Sequence, residues 1–509
     1  MEKYVVNTTN GKIRGHLRNN LVEYLGIPFA KPPVGDLRFK RAQPAAPWEG
    51  IFDAGKYGKE AVQLEDGRLK GSEDCLTLNI RRPMEGENLP VFVWIHGGGY
   101  NTGSASVPLY NGGSFAEKGI LFVSFQYRLN VLGFYDFTTY PGCEDFESNC
   151  GISDQILAMT WIHENIKAFG GDPDRVTIAG ESAGGASVIN MLAIPAVKGM
   201  FTQAIAQSPL PNCIATHKTA RENSDLFLEG MGWRVEDLQK LRTADPYGLQ
   251  KGNTYVAEKH QYKNPGIFLP GPIQDDLIPV RPIDAVRNGS AEGVKLIIGT
   301  NKHEGTLFVH PEKTGFPNNW SMIAEMFEKN GHTQAVPEIM HHYQPSMKDQ
   351  ELKAVLNSAE EIPANELEPF INFATDYAFR VPSLKVAQAQ KKYGDVWVYH
   401  YEFVSRSGKA TGMKASHAYE LPCMFADKDF AFSRFIFERE SEEIIDALIE
   451  AMHTSWVQFI KTGEPDQKNW PKYTGYDSKI RIFDRVTRTE ARDCGTLMKV
   501  WKDMRFYEN

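Results

Sequence analysis

Short apolar runs alternate along the chain with segments of helical periodicity. The runs at 91–95, 121–126, 176–178 and 294–299 are largely apolar, as in strands buried on both faces of a sheet. A further run at 395–403 alternates valine with aromatic residues and also predicts a strand. Strands separated by helices predict a mostly parallel, doubly wound α/β sheet.

The helical segments share a regular spacing of apolar positions. Residues 152–169 place Ile152, Ile156, Met159 and Ile162 on one stripe, and 186–192 and 442–461 also predict helices. Residues 320–391 are helical in pattern without a strong strand, so we expect a helical insertion over the top of the sheet. The N-terminal part predicts antiparallel strands, including 22–27 and 76–80, and 480–483 is the last predicted strand. We expect one domain over 1–509, with no internal repeat.

Composition and charge narrow the class of protein. The chain has 509 residues, of which 24% are charged and 42% hydrophobic, and a net charge of −8 without charged blocks. This is typical of a soluble globular protein and argues against a nucleic-acid partner. No apolar run could span a bilayer, and the N-terminus lacks a signal-peptide region. We therefore expect a cytoplasmic protein without a membrane partner.

The cysteines predict neither a disulfide framework nor a metal centre. The chain has six, and they are few and scattered. Cys143 and Cys150 are close enough in sequence to form a local loop, although reduced thiols are the favoured interpretation. No metal or organic cofactor is predicted.

Gly180-Glu181-Ser182-Ala183-Gly184 lies between a predicted strand and a predicted helix. A strand, a serine flanked by small residues and a helix are the context of the G-x-S-x-G nucleophile elbow. Small neighbours let the strand and helix pack closely around the serine, and the helix N-terminus favours developing negative charge. An ordinary glycine-rich turn with a capping serine is the alternative.

A second glycine-rich loop follows the strand at 91–95. His96-Gly97-Gly98-Gly99-Tyr100 matches the HGGG-type loop, whose backbone N–H groups help to form an oxyanion hole. A flexible turn is the alternative, but this loop and a nucleophile elbow are seldom found together by chance.

A serine nucleophile needs a base and a group that orients the base. In α/β-hydrolases these follow in the order Ser, acid, His. Here Glu304 follows the strand at 294–299, and His417 follows the strand at 395–403. Asp275 and Asp276 are competing acids, and the chain has 13 histidines, most of them expected to be structural.

Several longer segments resemble the type-B carboxylesterase family, which includes bacterial para-nitrobenzyl esterases, animal carboxylesterases and cholinesterases. The resemblance covers nearly the whole chain, and its segments are YLGIPFAKPPVGDLRF, SEDCLTLNI, VFVWIHGGGY, the stretch from GISDQ to GESAGGASV, IIGTNKHEG and HAYELPCMF, with the tail from Trp456 through KTGEPD to NWPKY. The family implies an α/β-hydrolase fold, with helices on both faces of a mostly parallel sheet.

The resemblance also assigns roles. Ser182 matches the nucleophile, Glu304 the acid and His417 the base, while Gly98, Gly99 and Ala183 match the N–H donors of the oxyanion hole. Two further pairs match structural ion pairs of the family, Arg38 with Glu73 and Arg128 with Asp154.

The chain departs from the family at a few positions. His303 stands where members usually carry an acidic residue, and its role is open. Cys75 matches a half-cystine of secreted members, but the preceding loop has no cysteine. That loop also lacks the tryptophan with which cholinesterases hold a quaternary ammonium group, so choline esters are disfavoured. Asp275-Asp276 stands where members often have Asp-Gly, which predicts an extra carboxylate near the pocket rim.

The predicted function is hydrolysis of a small-molecule carboxylic ester through an acyl-enzyme. The alternatives are a non-catalytic binding or adhesion member of the same fold, and an amidase or acyltransferase that uses the same triad. The acyl and alcohol pockets are expected to include the 266–272 stretch and the helical insertion. The natural ester is left open, and the oligomeric state is a monomer or a small homo-oligomer.

Overall fold

The computed structural model describes residues 4–264, 270–311, 315–348, 363, 366–466, 468–506 and 508. Its strands, in chain order, are β1 (Val5–Thr8), β2 (Gly11–Arg14), β3 (His16–Arg18), β4 (Leu21–Pro28), β5 (Ile51–Asp53), β6 (Gln63–Glu65), β7 (Arg68–Lys70), β8 (Thr77–Pro83), β9 (Leu89–Ile95), β10 (Leu121–Phe125), β11 (Gly171–Glu181), β12 (Gln203–Gln207), β13 (Lys295–Asn301), β14 (Val396–Tyr401), β15 (Lys479–Phe483) and β16 (Arg488–Ala491).

The α-helices are α1 (Gly113–Glu117), α2 (Asn130–Phe134), α3 (Cys150–Asn165), α4 (Ala183–Ala193), α5 (His217–Met231), α6 (Gln250–Lys263), α7 (Pro282–Arg287), α8 (Trp320–Lys329), α9 (Val336–Tyr343), α10 (Glu368–Ala374), α11 (Val381–Gln390), α12 (Arg406–Thr411), α13 (Leu421–Phe425), α14 (Ala431–Phe437), α15 (Glu442–Thr462) and α16 (Cys494–Val500). A π-helix, Thr375–Arg380, joins α10 to α11. Short 3₁₀ helices occur at Gly35–Leu37, Pro108–Tyr110, Ile166–Phe169, Pro195–Val197, Val235–Arg242, Glu304–Leu307 and Thr333–Ala335.

One large mixed sheet organises the described part of the chain. It has 11 strands in the order β16-β15-β14-β13-β12-β11-β9-β10-β8-β4-β3. The run from β15 to β10 is parallel throughout, whereas the pairs toward both edges are antiparallel. The carboxyl ends of β9, β11, β13 and β14 therefore share one edge of the sheet, where ligand sites of α/β proteins form. The predicted α/β-hydrolase fold is confirmed.

Side chains of the central strands alternate between two cores on opposite faces of the sheet. On β9, Val91, Val93 and Ile95 belong to one core, while Phe92 and Trp94 belong to the other. Helices α3 and α4 pack on the first face and α15 on the second. Because both faces are covered, the central strands are apolar at almost every position, which explains the continuous apolar runs in the sequence.

Most predicted elements are observed within a few residues of their predicted bounds. The helix predicted at 152–169 is α3 followed by the 3₁₀ helix Ile166–Phe169. The prediction that 480–483 is the last strand is wrong, because β16 follows and pairs with it antiparallel. The sequence of β16, RTEA, is half-buried at an edge and carries no apolar alternation that could have revealed it.

Residues 320–391 form α8 to α11 with the π-helix, except that 349–362 and 364–365 lie outside the described residues. The predicted pocket stretch 266–272 also lies outside them up to residue 269. The ring of Phe379, in the π-helix, is 4.9 Å from that of His417 between centroids. This part of the helical segment therefore contacts the loop at the carboxyl end of the sheet.

Candidate active site

Ser182 lies on a strained turn between β11 and α4. Its φ of 59° and ψ of −123° are unusual for a residue with a side chain. The turn is held by its backbone N–H, which donates to the Gln207 carbonyl at 3.0 Å. A methyl group added at Gly184 would lie 2.0 Å from the Ile95 carbonyl oxygen. The G-x-S-x-G glycines are therefore required by close packing, as the sequence predicted.

The glycine-rich loop after β9 packs directly against this turn. A methyl group on Gly97 would lie 3.2 Å from Ser182 Cβ. Gly98 has a φ of 109°, and a side chain there would meet the Thr102 carbonyl oxygen at 2.2 Å. Gly98 and Gly99 make no backbone N–H hydrogen bond with any described residue. The N–H of Ala183 opens α4, where helical N–H groups lack partners within the helix.

His417 and Glu304 are in direct contact although 113 residues separate them. His417 Nδ1 lies 2.5 Å from Glu304 Oε2, and both side chains are buried. The other carboxylate oxygen of Glu304 accepts 2.6 Å hydrogen bonds from Ser208 Oγ and from the backbone N–H of Asn301. These contacts fix the carboxylate, which in turn fixes the imidazole ring.

The second ring nitrogen of His417 faces another carboxylate. Nε2 lies 3.1 Å from Glu181 Oε1, but the pair lacks hydrogen-bond geometry, and neither atom has a hydrogen-bond partner among the described residues. Burial opposes the charged imidazolium, but the Glu181 and Glu304 carboxylates outweigh it and raise the pKa of His417. For Glu181, in contrast, burial favours the neutral carboxyl and therefore raises the pKa. Nε2 is therefore a strong base with no competing hydrogen bond.

A third buried glutamate, Glu420, completes an acidic cluster around the histidine. It accepts hydrogen bonds from Asn301 Nδ2 at 2.6 Å and from Gln207 Nε2 at 3.1 Å. Burial raises the pKa of Glu420, with Glu304 the next contribution. Sequence reasoning gave no role to Glu420, Glu181 or Ser208. Glu181 and Glu420 lie in the segments that resemble the family, and their positions there were the only signal, whereas Ser208 lies outside those segments.

The competing acids lie elsewhere. Asp276 binds the guanidinium of Arg41 at 2.6 and 2.7 Å, and Asp275 accepts from Ser148 Oγ at 2.6 Å and from Arg41 at 3.2 Å. Both aspartates are thus held by Arg41 and Ser148, while Glu304 is the acid that contacts His417.

The competing histidines are also placed differently. His96 is buried against Tyr127, with ring centroids 4.4 Å apart, and burial lowers its pKa to about 4. His303 is half-buried, and burial together with Lys414 and Lys302 lowers its pKa to about 3. His303 is therefore neutral at neutral pH and adds no charge beside Glu304.

The two expected ion pairs form. Arg38 binds Glu73 through two hydrogen bonds of 2.5 and 2.6 Å, and Arg128 binds the buried Asp154 at 2.6 Å. No disulfide joins any of the six cysteines, all of which lie in the described ranges, so Cys143 and Cys150 are unpaired with each other.

The described residues contain neither a candidate metal centre nor a membrane-spanning helix. No group of three or more His, Cys, Asp or Glu there could hold a metal ion. No helix among them is long and apolar enough to cross a membrane.

Comparisons with known proteins agree with this architecture. The model of the carboxylesterase family matches residues 2–495. The para-nitrobenzyl esterase of Bacillus subtilis is 35% identical over 501 residues, which cover 95% of each chain. Phenmedipham hydrolase of Pseudarthrobacter oxydans is 30% identical over 96% of this chain and 97% of its own. A solved para-nitrobenzyl esterase structure superimposes with a TM-score of 0.85 at 30% identity, covering 99% of this chain and all of that one.

The chain belongs to the carboxylesterase family. It is accordingly a serine hydrolase that cleaves carboxylic esters, rather than a non-catalytic binding member of the fold.

Proposed function

We propose that Ser182, His417 and Glu304 are the nucleophile, base and acid of this ester hydrolase. The observation that carries the proposal is the 2.5 Å contact between His417 Nδ1 and Glu304 Oε2. The other ring nitrogen, Nε2, lies 3.1 Å from Oε1 of Glu181, the residue directly before Ser182 on the strained elbow. Together they supply the three functions that a serine nucleophile requires.

His417 Nε2 takes the proton from Ser182 Oγ as the oxygen attacks the ester carbonyl carbon. Glu304 accepts a hydrogen bond from Nδ1–H, which keeps the proton on Nδ1 and leaves Nε2 free to act as the base. The same carboxylate stabilises the imidazolium that forms. The C–O bond to the alcohol then breaks, and the alcohol leaves with the proton from Nε2. Water attacks the acyl-enzyme by the same route and releases the acid.

The oxyanion hole in this proposal is formed by the N–H groups of Gly98, Gly99 and Ala183. The contact between the glycine loop and the elbow supports this role, as do the unpartnered N–H groups of Gly98 and Gly99 within the described chain. Each such donor stabilises the transition state by about 3 kcal/mol.

The names of the relatives suggest the first substrates to test. One is a para-nitrobenzyl esterase and another a phenmedipham hydrolase, so para-nitrobenzyl esters and phenmedipham itself are proposed for the first panel.

We further propose a single domain in which the 320–391 helices form the insertion above the site. We also propose a cytoplasmic location, which is consistent with six cysteines that form no disulfide. The proposed oligomeric state is a monomer or a small homo-oligomer.

Covalent labelling tests the assignment of the nucleophile. A fluorophosphonate probe should modify the wild-type protein once, and peptide mass spectrometry should place the label on Ser182. Ser182→Ala should abolish labelling. Ser187→Ala is the matched control, because Ser187 is a buried serine of α4, the helix that follows Ser182, and its hydroxyl accepts a hydrogen bond from Gln155 Nε2. Labelling at another serine, or persistence of the label in Ser182→Ala, refutes the assignment.

A further inference from the structure

A cavity of about 340 Å³ lies beside the sheet, among β13, β14, α11 and α16. Its volume falls in the range of small-molecule sites. Ile298, Leu384, Val398 and Leu497 give it an apolar wall, and none of the six residues assigned to catalysis lines it. It is therefore a compartment separate from the proposed catalytic centre.

Two arginines, Arg380 and Arg492, lie at the polar side of this cavity. Arg492 binds Glu402 and Glu490 through Nη2 alone, so its Nη1 and Nε make no hydrogen bond with the described residues. Arg380 binds Asp376 at 2.8 Å and the Lys302 carbonyl at 3.2 Å, which leaves its Nε unpartnered there.

The acidic groups of the lining, in contrast, already have donors. Asp376 accepts from Arg380 and from Tyr343 at 2.9 Å, and Asp493 accepts from Thr496 Oγ1 at 2.7 Å. The buried hydroxyl of Ser383 also has no partner in the described chain. The unpartnered guanidinium N–H groups can only donate, and the Ser383 hydroxyl can donate as well, so the lining suits an acceptor ligand.

We propose that this cavity binds a small carboxylate with an apolar tail, such as a medium-chain fatty acid. The carboxylate accepts hydrogen bonds from the unpartnered N–H groups of Arg492. Such charge-assisted hydrogen bonds are stronger than hydrogen bonds between neutral groups. The tail lies along the wall formed by Ile298, Leu384 and Leu497. This site does not depend on the chemistry proposed for Ser182.

A carboxylate is also the acid product of an ester hydrolase, so a readout specific to the cavity is needed. Cys494 lines the cavity and is half-exposed. Cys213 is the other half-exposed cysteine, and the remaining four are buried. In a Cys213→Ser background, N-ethylmaleimide labelling at pH 8 therefore reports on Cys494. A Cys494→Ser background reports on Cys213 as the control.

Octanoate should slow the labelling of Cys494 in a saturable way and leave that of Cys213 unchanged. Octanamide, with the same tail but no charge, should protect much less at equal concentration. Arg492→Gln should raise the half-saturating octanoate concentration about tenfold, the effect of losing a hydrogen bond to a charged group. Arg488→Gln is the matched control, since Arg488 also binds Glu402 and Glu490 but does not line the cavity.

Three results would overturn the proposal. These are no protection of Cys494 by octanoate, equal protection by octanamide, or the same octanoate dependence in Arg492→Gln and Arg488→Gln. Thermal melting of each variant checks that it is folded, and the wild-type comparison of acid with amide needs no variant at either arginine.

Discussion

Ser208 Oγ donates a 2.6 Å hydrogen bond to Glu304 Oε1, on the carboxylate whose other oxygen contacts His417. Ser208 follows β12 and has a φ of 42°, so its hydroxyl is directed by a strained turn. If Glu304 is the triad acid, as proposed, Ser208 positions that acid, and it makes no hydrogen bond with His417 in the described part of the chain.

Ser208→Ala should lower kcat/KM about tenfold to a hundredfold, because a hydrogen bond to a charged group contributes about 1.5–3 kcal/mol. Ser224→Ala is the matched control. Ser224 is an equally buried serine, and its hydroxyl donates to the Asp136 carbonyl at 2.7 Å, outside the site. Ser224→Ala should lower the free energy of unfolding with little change in kcat/KM. Equal effects of the two variants on kcat/KM would rule out a positioning role for Ser208.

Glu304→Gln should reduce kcat about 10⁴-fold while the protein remains folded, because an amide stabilises neither the tautomer nor the imidazolium. The measurement is kcat at saturating ester, with circular dichroism to establish folding. Asp276→Asn is the comparison, since Asp276 binds Arg41 instead. A larger loss from Asp276→Asn than from Glu304→Gln would mean that the acid is misassigned.

Glu181→Gln should move the acid limb of the kcat/KM profile to lower pH. The working base is neutral His417, whose fraction rises as the pH passes its pKa. Burial lowers that pKa, but the Glu181 and Glu304 carboxylates together outweigh burial and raise it, Glu181 being the larger of the two. Removing the Glu181 carboxylate therefore lowers the pKa of His417, so that neutral His417 predominates down to a lower pH. Glu420→Gln should shift the limb less, because its carboxyl is held by Asn301 and Gln207. An unchanged limb, or a shift to higher pH, would be incompatible with this account.

His303→Asp, which restores the acidic residue usual in the family, should keep kcat/KM within about tenfold of wild type. His303 is neutral at neutral pH and its Nδ1 is unpartnered among the described residues, so the ring contributes no charge to Glu304. Steady-state kinetics with one ester suffices. Activity reduced to the level of Ser182→Ala would show that the loop carrying Glu304 has a different role.

The sequence predicted the elements whose side chains must be apolar. The strands β9, β11, β13 and β14 are buried on both faces, so their composition alone marks them. The edge strand β16 is half-buried and polar, and was missed. Burial leaves a pattern in a sequence, whereas pairing at an edge does not.

The parts of the candidate site that could be predicted are those formed by a local sequence motif. The elbow around Ser182 and the loop at 96–99 have fixed local spacing, so they could be recognised. The contact of Ser208 with Glu304 joins residues 96 positions apart and depends on the register of two neighbouring strands. No local pattern carries that information, and the same holds for Glu181 and Glu420 around His417.

The most direct test is hydrolysis of para-nitrophenyl esters, from acetate to laurate, by wild type and by Ser182→Ala. We expect wild-type turnover with a chain-length optimum that sizes the acyl pocket, and a loss of at least about a thousandfold in the folded variant. Turnover by Ser182→Ala at the wild-type rate would contradict the assignment of Ser182 as the nucleophile.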